Sequence, residues 1–385
     1  MNKLPATVVL LGSVSFLNDV ASDMITPLLP VFLAGTLGAG PAIIGLIEGV
    51  ADTAVSLLKL WAGRMSDRGM GRKLLTVSGY SVSNLVRPLL GLANSWGMVL
   101  LLRFTDRIGK GLRSAPRDAW LSGSIDGSLR GHAFGLHRTM DHSGAVIGPL
   151  LAAILLAWGL EMREVFLVSV VPGVLAVALL VFGLRAPART ERQHAPPLRW
   201  SLLHPRLRAL VLAAGGVALS GAPDVFLILW LSQQGVPVPW IPLIWVAAHL
   251  ARALIAFPAG RLSDRIGRLP VLISGWSLQV ALLLLIPWTN EFWMVVAVLV
   301  GYAAATASTE GAELAMIGDL AHASAKGTAF GLYHMTVGLF ALPGALWFGV
   351  VWEVYGMGYA FTISALLTAV AALALALLSR RPLPA

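Results

Sequence analysis

A duplicated pair of motifs is the feature that most constrains the fold of this chain. The segment GRMSDRGMGR at residues 63–72 recurs as GRLSDRIGR at residues 260–268, and RGHAFGL at 130–136 recurs as KGTAFGL at 326–332. The copies are 197 and 196 residues apart in a chain of 385, because the first copy of the first motif carries one extra residue. Two matches in nearly one register indicate a duplicated unit of about half the chain.

The composition indicates that this duplicated unit is solvated by lipid. Mean hydropathy is +0.78, 57% of residues are hydrophobic and only 12% are charged, values outside the soluble range. The chain has no cysteine, which excludes disulfides, thiol catalysis and cysteine metal sites. Two homologous halves in one membrane protein are typical of a transporter, because two halves around a central site permit alternating access.

Apolar stretches of about 20 residues, the length that crosses a bilayer, predict twelve helices. We number these helices 1 to 12 in chain order, with predicted ranges 6–34, 41–65, 73–94, 97–121, 132–158, 163–184, 207–233, 239–261, 269–288, 292–318, 328–352 and 357–379. The predicted fold is therefore an all-α integral membrane protein with two six-helix halves. We expect an N-terminal bundle at 1–184, a polar cytoplasmic linker at 185–206 and a C-terminal bundle at 207–385.

The net charge of +9 follows the predicted topology. Lysine and arginine gather in alternate loops, while Arg163 stands alone in the other class of loop. An excess of positive charge is typical of cytoplasmic loops. It predicts that both termini lie on the cytoplasmic side of a bacterial-type inner membrane. Because the charge follows topology, it argues against nucleic-acid binding.

The loop motif resembles that of the major facilitator superfamily, Gly-x-x-x-Asp-Arg-x-Gly-Arg-Arg/Lys between helices 2 and 3. The resemblance implies a network that holds the cytoplasmic side closed, and it implies that role for Gly63, Asp67, Arg68, Arg72, Gly260, Asp264, Arg265 and Arg268. Simple anchoring by positive charge remains an alternative for Arg72, Lys73 and Arg268.

Two further segments resemble the same family. In helix 5, GAVIGPLLAA at 144–153 is similar to the pattern Gly-x-x-x-Gly-Pro-x-x-Gly-Gly, which in the family accompanies proton-coupled export. Gly144, Gly148 and Pro149 are then helix-packing residues, and packing without any bearing on direction remains an alternative. In helix 4, RFTDRIGKG at 103–111 resembles a family pattern with arginine near the start of that helix.

Helix 4 places ionisable residues at spacings of three and four, so they share one face. Each charge at membrane depth costs at least about 2.5 kcal/mol and needs a cavity or a partner. Asp106 is in register to pair with Arg103 and with Lys110. Arg113 and Arg117 are close enough to the cytoplasmic end to extend toward the membrane surface, which is the expectation for both.

Ionisable residues inside predicted helices are the candidate site residues. The predicted proton-coupling carboxylates are Asp23, Asp141, Asp106 and Asp52. A permanent salt bridge is the alternative for Asp106 and Asp23. The predicted substrate-binding residues are Asp19, Arg103, Arg107, His137, Arg138, His142, Tyr302, Glu310 and His334.

These residues predict a proton-coupled secondary active transporter that exports a small organic solute. Its partners are the solute and the lipid bilayer, and we expect a monomer that is not an enzyme, needs no cofactor beyond the proton gradient and has no metal site. Three alternatives remain open: an uptake symporter for an anionic metabolite, a transition-metal exporter that uses the membrane histidines, and a membrane sensor with a transporter fold. No phosphate-cradling loop supports ATP-driven transport.

Overall fold

The structure is a computed structural model that describes residues 5–67, 71–124, 130–184, 200, 204–221, 223–289, 291–321 and 326–379. Within those ranges the regular elements are all helices, and they cover each of the twelve predicted spans. The prediction of an all-α protein with twelve membrane helices is confirmed. Most of the predicted linker at 185–206 lies outside the described residues.

The helices begin and end within a few residues of the predicted positions. Helices 1 to 6 are Ala6–Asp23 continued by Leu29–Val31 and a π-helical turn Phe32–Thr36; Pro41–Asp67; Arg72–Val86 continued by the 3-10 turn Pro88–Leu92; Trp96–Gly123; Arg130–Ala157; and Met162–Val168 with Val170–Gly183. Helices 7 to 12 are Pro205–Ser220 with Asp224–Gln233; Trp240–Ile266; Arg268–Leu285 continued by Ile286–Trp288; Phe292–Leu320; Lys326–Tyr355; and Met357–Ser379.

Nine stretches of the described chain are long and apolar enough to cross a membrane, and these belong to every helix except 1, 3 and 4. Helix 1 carries Asn18, Asp19 and Asp23, and helix 4 carries the row of charged residues. Polar residues inside helices 1, 3 and 4 lower their mean hydropathy. Low hydropathy in these three helices therefore indicates where buried charge is concentrated.

Helices 1 and 7, which are equivalent in the two halves, are both interrupted next to a carboxylate. Helix 1 stops at Asp23 and resumes at Leu29. Helix 7 stops at Ser220, and Gly221 adopts a left-handed conformation with φ of 73°. A Cβ on Gly221 would lie 2.3 Å from the Gly344 carbonyl oxygen, so only glycine fits there. Discontinuous helices are where transporters commonly bind their substrates and ions.

The described chain divides into two compact units. Unit 1 comprises residues 1–39, 54–195 and 237–246, and unit 2 comprises 40–53, 196–236 and 247–385. In unit 1, helix 3 packs on helices 4 and 6, while helix 1 packs on helices 5 and 6. In unit 2, helix 9 packs on helices 10 and 12, while helix 7 packs on helices 11 and 12. The same contacts six helices apart are the structural counterpart of the sequence duplication.

Each unit has its own apolar core. In unit 1, Tyr80 and Trp120 lie buried with aliphatic residues of helices 1 and 6. In unit 2, Trp276 lies buried with Leu210 and Ile317. Burial of large aromatic rings among helices of the same unit allows each unit to pack as a separate body.

The first half of helix 2 packs within unit 2, against helix 11. A Cβ on Gly45 would lie 2.2 Å from the Ala345 carbonyl oxygen, and one on Gly49 would lie 2.9 Å from the Leu342 Cα. One turn further along, the Thr53 hydroxyl donates a hydrogen bond to the Gly338 carbonyl at 2.7 Å. Glycine at these positions permits backbone-to-backbone contact between the two helices.

Candidate functional site

A buried ion cluster surrounds Asp106 inside unit 1. Its carboxylate is 1% exposed, and Arg87 Nε lies 2.9 Å from Asp106 Oδ1. Arg103 and Arg107 place guanidinium nitrogens 3.8 Å and 4.0 Å from Asp106 Oδ2. The expected pairing of Arg103 with Asp106 is therefore present, and Arg87 of helix 3 makes the shorter contact. Three guanidinium groups around one carboxylate favour a lasting salt bridge at Asp106 over proton exchange.

Arg87 also connects this cluster to helix 1. Its Nη1 donates to the Asn18 side-chain oxygen at 3.0 Å and to the Asn18 backbone carbonyl at 3.2 Å. Asn84 donates to the same side-chain oxygen at 3.2 Å. The Asn18 amide nitrogen in turn donates to Asp19 at 2.9 Å. A continuous polar chain thus runs from helix 4 through helix 3 to the predicted substrate residue Asp19.

The expectation that Arg113 and Arg117 extend to the membrane surface is wrong. Arg113 is 4% exposed, donates to the Ser83 hydroxyl at 2.7 Å and lies 4.5 Å from the centre of the Tyr80 ring. Arg117 donates to the Ser15 hydroxyl at 3.0 Å. Both side chains turn inward because helices 1 and 3 offer hydroxyl oxygens and an aromatic face within reach.

Helix 5 brings a second carboxylate toward helix 1. His137 Nδ1 lies 3.4 Å from Asp141 Oδ2, and Asp141 interacts electrostatically with Asp19. Of the other predicted residues on this helix, His142 is exposed, and the side chain of Arg138 lies outside the described part of the chain. Asp19, His137 and Asp141 are therefore the predicted site residues that the structure brings together here, with Asp23 one turn further along helix 1.

The glycines of the helix 5 pattern lie against helix 1. A Cβ on Gly144 would lie 2.6 Å from the Phe16 carbonyl oxygen, and one on Gly148 would lie 2.7 Å from the Val20 carbonyl oxygen. Pro149 follows Gly148 inside the continuous helix. This close approach places Asp141 of helix 5 beside the polar face of helix 1.

The first copy of the loop motif is only partly described. Arg68 and the side chain of Asp67 lie outside the described residues, Gly63 is inside helix 2, and Arg72 begins helix 3. The next residue, Lys73, donates from Nζ to the carbonyls of Leu184 and Val181 at the end of helix 6. A lysine at a helix C-terminus stabilises the unpaired carbonyls there, so this contact ties helix 3 to helix 6.

The second copy forms an ion network at the end of helix 8. Arg268 pairs with Asp264 and with Asp319 of helix 10, and it also donates to the Ser263 hydroxyl. A Cβ on Gly260 would meet nothing within 4 Å, Arg265 is exposed, and Gly267 has a φ of 96° at the start of helix 9. The described network therefore joins helices 8, 9 and 10 within unit 2.

A cavity of about 280 Å³ lies inside unit 2. Four carboxylates line it, Glu48 and Asp52 from helix 2 and Glu310 and Glu313 from helix 10. The remaining walls include the Trp276 ring, Tyr302, Gln279 and the threonines of helix 10. The predicted residues Asp52, Tyr302 and Glu310 thus share one cavity.

Glu313, which sequence reasoning missed as a site residue, is fixed by hydrogen bonds. It accepts from the Tyr333 hydroxyl and from the Trp276 side chain. Glu310 lies three residues earlier on the same helix, so both carboxylates face one side of it. The signal that could have found Glu313 is this spacing, because an acidic residue one turn from Glu310 inside an apolar helix needs a partner or a cavity.

The remaining charged residues of unit 2 lie outside the lining. Arg252 Nη2 donates to both carboxylate oxygens of Asp224, at 2.8 Å and 2.7 Å. His334 is exposed, with its ring 5.1 Å from Tyr333. Among the described residues, histidine and carboxylate side chains form no group of three or more that could hold a metal ion.

Curated relatives match the chain along most of its length. An uncharacterized MFS-type transporter of Methanocaldococcus jannaschii is 31% identical over 359 residues, which cover 91% of this chain and 90% of the relative. The Probable 4-methylmuconolactone transporter of Cupriavidus pinatubonensis is 28% identical, covering 75% and 70%. Multidrug resistance protein MdtG of Enterobacter lignolyticus is 26% identical, covering 71% and 67%.

Solved structures share the fold at low sequence identity. A bacterial homolog of the human lysosomal transporter Spinster, in an inward-facing and occupied conformation, superposes with a TM-score of 0.81 at 19% identity, covering 97% of this chain and 96% of that chain. The nucleoside transporter NupG superposes with a TM-score of 0.77 at 14% identity, covering 98% and 100%. The sequence profile of the Major Facilitator Superfamily matches residues 11–251 and 243–385. This chain is a multi-pass membrane transporter that belongs to the Major Facilitator Superfamily.

Proposed function

We propose that this protein is a proton-coupled secondary active transporter that exports a small organic solute by alternating access. The observation that carries the proposal is the cavity of about 280 Å³ in unit 2, lined by carboxylates and aromatic rings. Ligand pockets are commonly about 300–1,000 Å³, so this cavity suits a small solute.

The lining favours an organic solute that carries positive charge. Carboxylates attract a cation, and aromatic rings, of which Trp276 and Tyr302 line the cavity, bind cations over their π-systems. Arginine, lysine and histidine are not among the described residues that line the cavity. We therefore assign Tyr302, Glu310 and Glu313 to substrate binding.

Proton coupling is assigned to carboxylates inside the membrane helices. Asp23 and Asp141 lie in helices that are otherwise largely apolar, where carboxylates are rare and commonly serve proton transfer. We add Asp19, which the sequence predicts to bind substrate, because it interacts electrostatically with both. His137 lies beside Asp141, and a histidine and a carboxylate in contact are a common proton-exchange pair. Asp52 lines the cavity and could exchange a proton there.

Export is favoured by the helix 5 pattern. The family associates this pattern with proton-coupled export, and Gly144 and Gly148 place helix 5 directly on the helix that carries Asp19 and Asp23. The relative named Multidrug resistance protein MdtG is consistent with this direction.

The topology and the control of conformation complete the proposal. We place both termini on the cytoplasmic side of a bacterial-type inner membrane. The two bundles comprise residues 1–184 and 207–385, and the protein works as a monomer. The two loop motifs close the cytoplasmic side, and the network of Arg268 with Asp264 and Asp319 supports that role in the second copy.

Uptake of an anionic metabolite is the second candidate. The arginines of helix 4 outnumber the carboxylate that they surround, and guanidinium groups bind carboxylates in a bidentate manner. The relative named Probable 4-methylmuconolactone transporter is also consistent with this alternative.

A matched pair of aromatic probes separates the two candidates. Purified protein is heated with benzyltrimethylammonium or with benzoate, and a ligand present at a hundred times its Kd raises the free energy of unfolding by about 2.7 kcal/mol. We expect stabilisation by the cation, with loss of that effect in Glu310→Gln and not in the control Glu291→Gln, which is exposed at the start of helix 10. Stabilisation by benzoate alone would favour the second candidate.

Transport itself is then measured in proteoliposomes. We expect an imposed pH gradient to drive benzyltrimethylammonium across the membrane against the direction of proton flow. A flux of the cation that does not depend on the pH gradient would exclude proton coupling. A flux in the same direction as the protons would exclude antiport.

A further inference from the structure

We propose that Asn18 is a positioning residue that links the Arg87–Asp106 ion pair to the carboxylate of Asp19. The role of Asp19 in transport rests on the proposed function, whereas the link itself rests on contacts within unit 1. Asn18, Asn84 and Arg87 belong to none of the motifs that resemble the family.

The orientation of the Asn18 amide is fixed by its partners. Arginine is only a donor, so the Asn18 atom 3.0 Å from Arg87 Nη1 must be the side-chain oxygen. Asn84 directs its own amide nitrogen, which is again a donor, at the same oxygen. The Asn18 nitrogen must then face the other way, toward Asp19 Oδ1 at 2.9 Å. A flipped amide would lose all three hydrogen bonds.

The chain of contacts is closed to solvent along most of its length. Asn18 is 1% exposed, Arg87 3%, Asn84 5% and Asp106 1%. Losing a partner in such a buried chain leaves an unsatisfied polar group away from water, so its hydrogen bonds hold these side chains in place. A displacement of Arg87 or Asp106 is therefore transmitted to Asn18 and through it to Asp19.

Asp19 is otherwise surrounded by charges on several elements. It interacts electrostatically with Lys110 and Arg113 of helix 4, with Asp141 of helix 5 and with Asp23 on its own helix. The charge of a carboxylate or an amine depends on its protonation, and the field that each neighbour exerts on Asp19 depends on where its side chain lies. Asn18 contributes a neutral donor whose direction is set by the ion pair, so it fixes where the Asp19 carboxylate lies.

The test exchanges the two side chains. Asn18→Asp keeps an acceptor for Arg87 and Asn84 but places a second carboxylate where Asp19 needs a donor. Adding Asp19→Asn returns a donor to the pair with its direction reversed. We measure the unfolding temperature of the full-length protein in detergent for each single variant and for the exchanged pair.

We expect Asn18→Asp to lower Tm and the exchanged pair to recover most of that loss, a strongly non-additive result. The control Asn94→Asp makes the same chemical change at an exposed position before helix 4 and is expected to leave Tm unchanged. An exchanged pair no more stable than Asn18→Asp alone would overturn the proposal. If Asn18→Asp does not fold, recovery of folded protein in the exchanged pair decides the matter, and its absence counts against the link.

A second measurement separates positioning from general stability. Arg87→Lys keeps the positive charge beside Asp106 but lacks the planar guanidinium group that reaches Asn18. We expect Arg87→Lys and Asp19→Asn to be non-additive in Tm, and we expect this coupling to vanish when Asn18→Leu is also present. A coupling that persists without Asn18 would show that another path positions Asp19.

Transport of benzyltrimethylammonium distinguishes this link from the proposed function. The exchanged pair is expected to be stable but defective in pH-driven flux, because it lacks the carboxylate at position 19. A stable exchanged pair with wild-type flux would remove Asp19 from the transport mechanism while leaving the role of Asn18 in positioning intact.

Discussion

The two units hold their buried carboxylates in different ways. In unit 1, Asp106 is surrounded by the guanidinium groups of Arg87, Arg103 and Arg107. In unit 2, Glu313 is held by neutral donors, the Tyr333 hydroxyl and the Trp276 side chain, and it faces a cavity. A carboxylate enclosed by arginines is held in a salt bridge, whereas Glu313 is held by neutral donors at the wall of a cavity.

We expect this difference to separate the roles of the two units, although the chain arose by duplication of one segment. Both units pack equivalent helices in the same way, so the scaffold does not explain the difference. The ionisable residues do: helix 4 carries a row of arginines, while its counterpart, helix 10, carries Glu310 and Glu313. We expect unit 1 to respond to charge changes with loss of coupling or stability, and unit 2 with loss of binding.

The largest expected effect is the loss of pH-driven flux in Asp23→Asn and in Asp141→Asn. Each substitution removes a titratable carboxylate from a membrane helix without changing its volume, so the protein should stay folded while coupling is abolished. Flux of the cationic probe is measured in proteoliposomes at matched protein content. Wild-type rates in both variants would remove Asp23 and Asp141 from proton coupling and weaken the comparison.

The next largest effect is on stability and concerns the ion cluster. Asp106→Ala leaves three buried guanidinium groups without their shared carboxylate, and breaking a buried pair in this way costs about 3–5 kcal/mol. Glu291→Ala is the control, because Glu291 is exposed and makes no side-chain cap hydrogen bond at the start of helix 10, and exposed charges contribute about 1 kcal/mol or less. Thermal unfolding of both variants should differ by at least several degrees; equal losses would contradict the idea that Asp106 organises unit 1.

A smaller effect is expected from the contact of helix 5 with helix 1. Gly148→Ala places a Cβ 2.7 Å from the Val20 carbonyl, and overpacking of this kind costs about 1–3 kcal/mol. Gly311→Ala in helix 10 is the control, because a Cβ there meets nothing within 4 Å and replacing a helical glycine gains up to about 1 kcal/mol. Opposite signs in thermal unfolding are expected, and a tolerated Gly148→Ala would show that helices 1 and 5 can separate.

The smallest effect on stability is expected at the exposed network of helices 8 to 10. Asp264 is 64% exposed, so Asp264→Ala should cost about 1 kcal/mol or less. The same substitution should change the balance between conformations if the network holds the cytoplasmic side closed. Single cysteines introduced on either membrane face report this balance, since the chain has no native thiols. Unchanged labelling on both faces would exclude the latch.

Much of the fold could be predicted because each membrane helix is determined by its own stretch of sequence. All backbone groups must be satisfied within the helix in lipid, so length and hydropathy alone locate the spans. The duplicated motifs at Gly63 and Gly260 then divided the chain into equivalent halves. The prediction failed where polar contacts between helices decide the outcome: Arg113 and Arg117 turn inward because Ser83, Tyr80 and Ser15 lie on other helices.

For the candidate site, too, the sequence predicts the properties of single helices but not the contacts between them. By itself, the sequence determined that ionisable residues such as Asp19, Asp106, Asp141 and Glu310 lie inside membrane helices, since position along an apolar stretch fixes depth. Only the tertiary structure decided which of them meet, because hydrogen bonds and ion pairs depend on distances between helices far apart in the chain. It joined Asp106 to Arg87, connected Arg87 through Asn18 to Asp19, and placed Glu310 beside the cavity in unit 2.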